Sequence, residues 1–164
     1  MRLVKIIDFI FAARPMLLLP VWSIYLISFR QINYQEPFTS HSFLLLAGVS
    51  LMVAGAYFIN QIFDYESDLI NKKIGFLQKG LISRREMTAA FMTVSAISLI
   101  ISLLAGWEAL ALYMLIFLLG YFYSAPPLRL KDRPFWGLIA NGFGYGLLLP
   151  FLVIGFFKAP IDER

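Results

Sequence analysis

The chain has 164 residues, of which 60% are hydrophobic, and its formal net charge is +4. This apolar fraction exceeds that of ordinary soluble domains and indicates a membrane protein. The absence of cysteine excludes disulfides, thiolate metal sites and a cysteine nucleophile. The basic residues fall between apolar runs, so membrane topology explains the positive charge and nucleic acid is not expected as a partner.

The first 14 residues carry four charged side chains among apolar ones. Asp8 interrupts the apolar stretch, and Arg14-Pro15 stands where a signal peptide would have the small residues of its cleavage site. This segment is therefore predicted to be an interfacial lead-in to the first span, which Pro15 is suited to begin.

Five apolar runs predict five membrane-spanning helices, and hence an all-α transmembrane bundle that forms a single membrane domain over residues 1–164. The second run is long enough to cross about 30 Å of hydrocarbon. In the fifth, Gly142 and Gly146 have the spacing of closely packed helices, and Pro150 predicts a kink. The predicted spans cover about residues 15–29, 43–65, 87–105, 109–123 and 135–157.

Most basic residues lie on one side of this predicted bundle. The segment before the first span and the loops after the second and fourth spans hold 11 of the 14 Lys and Arg residues. The positive-inside rule therefore predicts that the N-terminus, both basic loops and the end of the second span face the cytoplasm. A site at that end of the second span would open to the cytosol.

Three polar side chains share one helical face at the end of the second span. Asn60, Asp64 and Asp68 are four residues apart, so each is turned about 40° from the last. The two carboxylates would lie about 6 Å apart and repel by about 3 kcal/mol at an effective dielectric constant near 20, which favours a bound cation. These oxygen ligands suit Mg²⁺, which takes its other ligands from water and phosphate. The alternative is a solvated acidic turn, neutralised by the lysines that follow it.

A second polar cluster lies in the loop after the fourth span, at residues 123–131. Pro126 and Pro127 are expected to stiffen this loop in an extended form and to hold Arg129 and Lys131 in a fixed direction. Arg and Lys are usual partners of phosphate oxygens, although these two could serve membrane topology alone. Together with the carboxylates, they predict a receptor for a diphosphate whose apolar tail stays in the lipid bilayer.

Two side chains within the spans are further candidates. Asn141, in the fifth span, is either a hydrogen-bond partner between helices or a member of the site. Tyr57 lies about one turn before Asn60, and its π face could stabilise a carbocation in the same cavity.

These motifs resemble those of the UbiA superfamily of intramembrane prenyltransferases. The match consists of Asn60-x-x-x-Asp64-x-x-x-Asp68 at the end of the second helix, Tyr-Ser-x-Pro-Pro-x-Arg-x-Lys at residues 123–131, and Asn141 in the fifth helix. The resemblance covers nearly the whole chain, and the two motifs together make it specific.

The resemblance implies an all-α membrane fold around a cavity that opens toward the cytosol. It also implies transfer of a polyprenyl group from a polyprenyl diphosphate to a hydrophobic acceptor, either aromatic or a lipid-like alcohol. On this basis the acidic motif would hold Mg²⁺ against the diphosphate, Arg129 and Lys131 would neutralise the leaving group, and Tyr123 would line the diphosphate pocket. The protein would contribute charge stabilisation and exclusion of water.

The loop after the acidic motif departs from the family pattern. Family members commonly carry there an Arg-Pro pair whose arginine contacts phosphate, whereas Gly75-Phe76 occupies that place in this chain. Lys72, Lys73 or Lys79 would have to supply the contact instead.

The family also has about nine helices and a second Asp-rich motif on a later helix. After Asp68 the only aspartates are Asp132 and Asp162, and neither belongs to a repeat of the first motif. The chain is therefore predicted to be the N-terminal half of a prenyltransferase, either truncated or completed by a second polypeptide. A homo-oligomer would offer Asp64 and Asp68 twice, but the sequence gives it no direct support. The rival hypothesis is a non-catalytic membrane protein of this fold that binds an isoprenoid or scaffolds a partner. An ion-conducting bundle is disfavoured, because the acidic groups lie at a membrane boundary rather than along a pore.

Overall fold

The computed structural model describes residues 3–32, 35 and 37–157, and these form an all-α bundle without strands. The predicted fold class is thereby confirmed. Four helical segments are long and apolar enough to cross a membrane, and a bent pair near the N-terminus makes a fifth if it counts as one span. The helices are α1 (Leu3–Ala12), α2 (Leu19–Ile32), α3 (Ser40–Ile70), α4 (Arg84–Ala105), α5 (Trp107–Ser124), α6 (Pro134–Phe143) and α7 (Leu149–Phe157).

The first span is broken at its N-terminal end. Arg14 has a left-handed backbone conformation (φ 54°), and Pro15 then begins a 3₁₀ turn that leads into α2. The axis of this broken span bends by 43° between residues 3–12 and residues 15–31. The break is held against α3 because Nε2 of Gln61 donates a hydrogen bond to the carbonyl oxygen of Ala12 at 2.8 Å.

Helix α3 is longer than the predicted second span. It begins with a capping box in which Thr39 and Ser42 satisfy each other's backbone N–H groups, and it continues to Ile70 rather than ending near residue 65. The whole acidic motif is therefore helical and lies on one rigid element. Helix α4 also begins with a capping box, formed by Ser83 and Glu86.

Small residues bring α3 close to α4 and α5. A Cβ atom added to Gly120 would lie 2.9 Å from Cβ of Ala56, and one added to Gly55 would lie 2.9 Å from Oγ of Ser95. Such short approaches are typical of helices that pack within a membrane. The hydroxyl of Ser98 extends the contact by donating to the carbonyl oxygen of Gly48 at 2.8 Å.

The fifth span is interrupted by a π-helical turn between α6 and α7, at residues 144–148. The N–H of Leu149 bonds the carbonyl oxygen of Gly144, five residues back, and Pro150 follows immediately. Proline has no N–H and its ring crowds the carbonyl four residues earlier, so the hydrogen-bond ladder shifts by one residue. The irregularity predicted at Pro150 thus takes the form of a π turn.

The predicted close packing at Gly142 and Gly146 is wrong for the part of the chain that the structure describes. A Cβ atom added at either position would have no neighbour within 4 Å. The close approaches of this span are made elsewhere: an added Cβ at Gly144 would lie 3.3 Å from Leu119, and one at Gly137 would lie 3.2 Å from the carbonyl oxygen of Leu130. Helical periodicity turns the first two glycines away from α5 and the other two toward their neighbours.

Candidate active site

A cavity of about 510 Å³ lies between α3, α5 and the fifth span. Its apolar wall is built from side chains of these helices, among them Val53, Ile116, Leu119 and Leu149. The polar residues that line it are Arg14, Tyr57, Asn60, Asp64, Asp68, Lys73, Tyr123, Ser124, Lys131, Asn141 and Tyr145. The cavity therefore joins a polar, charged region to an apolar one.

Asn60 and Asp64 contact Lys131 directly. The Lys131 ammonium donates to Oδ1 of Asn60 at 2.7 Å and forms an ion pair with Oδ1 of Asp64. Ser124 donates to the same Asn60 oxygen at 3.0 Å. The two motifs that the sequence placed at the same membrane level, the acidic helix end and the basic loop, thus meet side chain to side chain.

Arg129 reaches the same carboxylate from the other side of the loop. Its Nη2 lies 3.3 Å from Oδ1 of Asp64, and its Nε lies 2.8 Å from Oδ2 of Asp132. Asp132 therefore orients Arg129, while Asp162 falls outside the described residues. Arg129 is not among the residues that line the cavity.

The loop that carries these cations is not extended, contrary to expectation. Residues 126–128 form a turn, and the N–H of Arg129 closes it on the carbonyl oxygen of Ala125 at 3.0 Å. Proline fixes its own φ angle but leaves the chain direction open, so Pro-Pro is compatible with a turn as well as with an extended segment.

Asp68 has a separate partner. Nζ of Lys73 lies 2.9 Å from its Oδ1, and the Asp68 carboxylate raises the pKa of Lys73 above its usual range by hydrogen bonding. Lys72 takes a left-handed conformation (φ 53°), is exposed and does not line the cavity. Lys79 is also exposed and does not line the cavity, so of the three lysines offered by the sequence only Lys73 lines it.

Asn141 and Tyr123 lie together on the facing wall. Nδ2 of Asn141 is 3.3 Å from the hydroxyl of Tyr123 and 3.1 Å from the carbonyl oxygen of Gly137. The side chain of Asn141 thus connects two helices and also lines the cavity, so the structure is compatible with both roles predicted for it. Tyr57 lines the cavity too, and its hydroxyl donates to the carbonyl oxygen of Leu17 at 3.1 Å.

Three polar cavity residues were not predicted: Arg14, Ser124 and Tyr145. Tyr145 lies four residues after Asn141 on the same helical face, so the spacing could have indicated it. Ser124 belongs to the loop motif but was not given a role. Arg14 reaches the cavity only because the first span is broken at that residue, which the sequence pattern did not indicate.

The charges at the cavity favour an anion with an accompanying cation. Two carboxylates and three basic side chains line it, so the lining is net positive. The oxygen donors of the acidic motif are of the kind that Mg²⁺ binds. Within the described residues, however, no group of three or more His, Cys, Asp or Glu side chains could hold a metal ion. A Mg²⁺ ion here would need further ligands from water or phosphate.

Comparison with known proteins identifies the family of this chain. A profile of the UbiA prenyltransferase family matches residues 17–159. The chain is 38% identical over 84 residues to a lycopene elongase/hydratase of Corynebacterium glutamicum, covering 48% of this chain and 29% of that protein. It is 35% identical over 97 residues to a digeranylgeranylglyceryl phosphate synthase of Thermococcus gammatolerans, covering 59% and 34%.

A third relative is the C(50) beta-cyclic carotenoids biosynthesis protein LbtBC of a Dietzia species, which is 30% identical over 136 residues. The alignment covers 70% of this chain and 30% of that protein. This chain thus spans about a third of the length of the curated relatives it matches. No solved structure matches it. Because the family profile covers most of the sequence, including both motifs of the cavity, the chain belongs to the UbiA prenyltransferase family.

Proposed function

We propose that this chain binds the diphosphate group of a polyprenyl diphosphate together with Mg²⁺ and contributes that half of a prenyl transfer site. One observation carries the proposal: Asn60, Asp64 and Lys131 meet in a cavity that is also lined by apolar side chains of α3, α5 and the fifth span. A charged head group and an apolar chain can be held side by side only in a cavity of this kind. Membership of a prenyltransferase family supports the same chemistry.

In this proposal the site residues bind or stabilise the charged groups that form during the reaction. Asn60, Asp64 and Asp68 would hold Mg²⁺, and the ion would neutralise diphosphate oxygens as the carbon–oxygen bond of the donor breaks. Arg129 and Lys131 would bind the departing diphosphate, which keeps the bonding electron pair. The allylic carbon left behind is attacked by a hydrophobic acceptor, which loses a proton. Tyr123 and Asn141 would position the diphosphate, and the π face of Tyr57 would stabilise positive charge on the allylic carbon.

The lipid bilayer supplies both the donor and the acceptor in this proposal, and the polar end of the cavity faces the cytoplasm. The basic loop that carries Lys131 and the N-terminal segment would then lie on the cytoplasmic side, as the positive-inside rule requires. Among the described residues only two carboxylates line the cavity, so any carboxylate ligand beyond these two, in addition to water and phosphate, would come from a second chain segment or from a homo-oligomer. The same observation favours the second candidate function, a non-catalytic isoprenoid-binding or scaffold protein.

Binding of geranylgeranyl diphosphate to the chain in lipid nanodiscs, with and without Mg²⁺, tests the proposal. Asp64→Ala is expected to lower the Mg²⁺-dependent affinity at least about tenfold, since it removes a carboxylate that binds the cation. Glu66→Ala is the matched control, because Glu66 lies on the same helix but is exposed and pairs only loosely with Arg84, at 3.7 Å. Binding that ignores both Mg²⁺ and Asp64→Ala would favour the non-catalytic function.

Catalysis needs a separate measurement. The isolated chain is expected to release no pyrophosphate from geranylgeranyl diphosphate, and release is expected only when a partner chain supplies further carboxylates. Mg²⁺-dependent release by the chain alone, as a monomer, would contradict the two-part site.

A further inference from the structure

Lys131 occupies the oxygen atoms that the proposed metal site would use. Its ammonium group bonds Oδ1 of Asn60 at 2.7 Å and pairs with Oδ1 of Asp64, and its side chain is only 13% exposed. Arg129 also approaches Asp64, but Asp132 holds it from the other side and it makes no contact with Asn60 that the structure records. Lys131 is therefore the cation that bridges both ligands.

A Mg²⁺ ion and this ammonium group cannot bind the same two residues independently. Mg²⁺ sits about 2.1 Å from its oxygen ligands, so an ion bound to Oδ1 of Asn60 would lie no farther than about 4.8 Å from Nζ of Lys131. At that separation charges of +1 and +2 repel enough to weaken metal binding about tenfold even at the dielectric constant of water, and more in a partly buried site.

The loop that carries Lys131 packs closely against the start of α6. A Cβ atom added to Gly137 would lie 3.2 Å from the carbonyl oxygen of Leu130 and 3.5 Å from Cα of Lys131, so little space separates α6 from this loop. The four-carbon stem of lysine has several rotatable bonds. Its ammonium group can therefore leave Asp64 for a nearby anion without movement of the loop.

We propose that Lys131 is an internal counter-ion that competes with Mg²⁺ for Asn60 and Asp64, and that it moves to the diphosphate when the metal and the diphosphate bind together. This inference rests on the proposed function and adds that Mg²⁺ binds tightly only together with the diphosphate. Metal alone binds weakly because it must displace Lys131. A diphosphate gives the displaced ammonium group a new partner, so the two ligands bind cooperatively and the carboxylates stay neutralised at every stage.

The test is a calorimetric titration of the full chain in nanodiscs with Mg²⁺ alone. Lys131→Met removes the competing charge and is expected to tighten Mg²⁺ binding at least about tenfold. Lys131→Arg keeps the charge and is expected to leave the affinity close to that of the wild type. Lys79→Met is the matched control for loss of one positive charge, because Lys79 is exposed and does not line the cavity. A second titration with inorganic pyrophosphate at saturating Mg²⁺ is expected to show weaker binding in Lys131→Met.

Asp64→Asn separates the possible outcomes. Asp64-dependent Mg²⁺ binding that is tighter in Lys131→Met, but not in Lys79→Met, supports the competition. Asp64-dependent binding that Lys131→Met leaves unchanged or weakens overturns the competition and leaves the metal site standing. If no variant shows Asp64-dependent Mg²⁺ binding, the metal site of the proposed function fails, and the competition with it.

Discussion

The ion pair between Asp64 and Lys131 should contribute measurably to the stability of the fold. The two side chains are 20% and 13% exposed, so water screens their attraction only partly. Exposed ion pairs are worth about 0–1 kcal/mol, and breaking a fully buried pair costs about 3–5 kcal/mol. The exposures of this pair lie between those limits and nearer to the buried one. We expect a coupling free energy of about 1–3 kcal/mol.

A double-mutant cycle isolates this coupling. The variants Asp64→Asn, Lys131→Met and their combination are unfolded with SDS in mixed micelles, and tryptophan fluorescence reports the free energy of unfolding. Asp64→Asn alone leaves Lys131 partly buried without its carboxylate and should be the least stable of the three. The double variant should recover part of the loss, because no charge is then left unpaired.

A second cycle on Asp68 and Lys73 provides the comparison. The Lys73 side chain is 67% exposed, so its coupling to Asp68 is expected to be clearly smaller than that of Asp64 and Lys131 despite a distance of 2.9 Å. If the two cycles give equal couplings, burial does not set the strength of these pairs and the reasoning is refuted.

Two further substitutions test the packing that positions the site. Gly120→Ala should destabilise the chain by about 1–3 kcal/mol in the same unfolding assay, because its Cβ would lie 2.9 Å from that of Ala56. The control Gly142→Ala has no neighbour within 4 Å and should be neutral or slightly stabilising. Equal effects of the two substitutions would contradict the contact between α3 and α5. Gln61→Leu should cost about 1–3 kcal/mol and speed amide exchange in α1, because a buried carbonyl loses its donor, and the exposed Gln31→Leu is the control. Unchanged exchange in α1 would show that this hydrogen bond does not hold the break.

Local sequence patterns predicted the parts of the molecule that depend on local geometry. The apolar runs predicted an all-α membrane bundle, and the four-residue spacing of Asn60, Asp64 and Asp68 predicted one polar face on one helix. Both follow from the fixed pitch of the α-helix. The ends of α3 were less predictable, since the capping residues and the polar last turn extend the helix beyond its apolar part.

Tertiary structure alone decided which charges meet. Lys131 and Asp64 are 67 residues apart in the chain, and no helical period relates them. Their pairing depends on the turn at residues 126–128 and on the close approach that Gly137 permits. Arg14 lines the cavity and Lys72 does not. Both residues have a left-handed backbone conformation, which apolar periodicity does not predict.

By itself, then, the sequence predicted the all-α membrane bundle, its apolar runs and most of the polar residues that line the cavity. The structure decided that the basic loop pairs with Asn60 and Asp64 of the acidic motif, and that Gly142 and Gly146 lie away from the neighbouring helices of the described chain. The physical reason is that hydropathy and helical pitch act between near neighbours along the chain. Ion pairing and steric fit act between side chains that only the folded arrangement brings together.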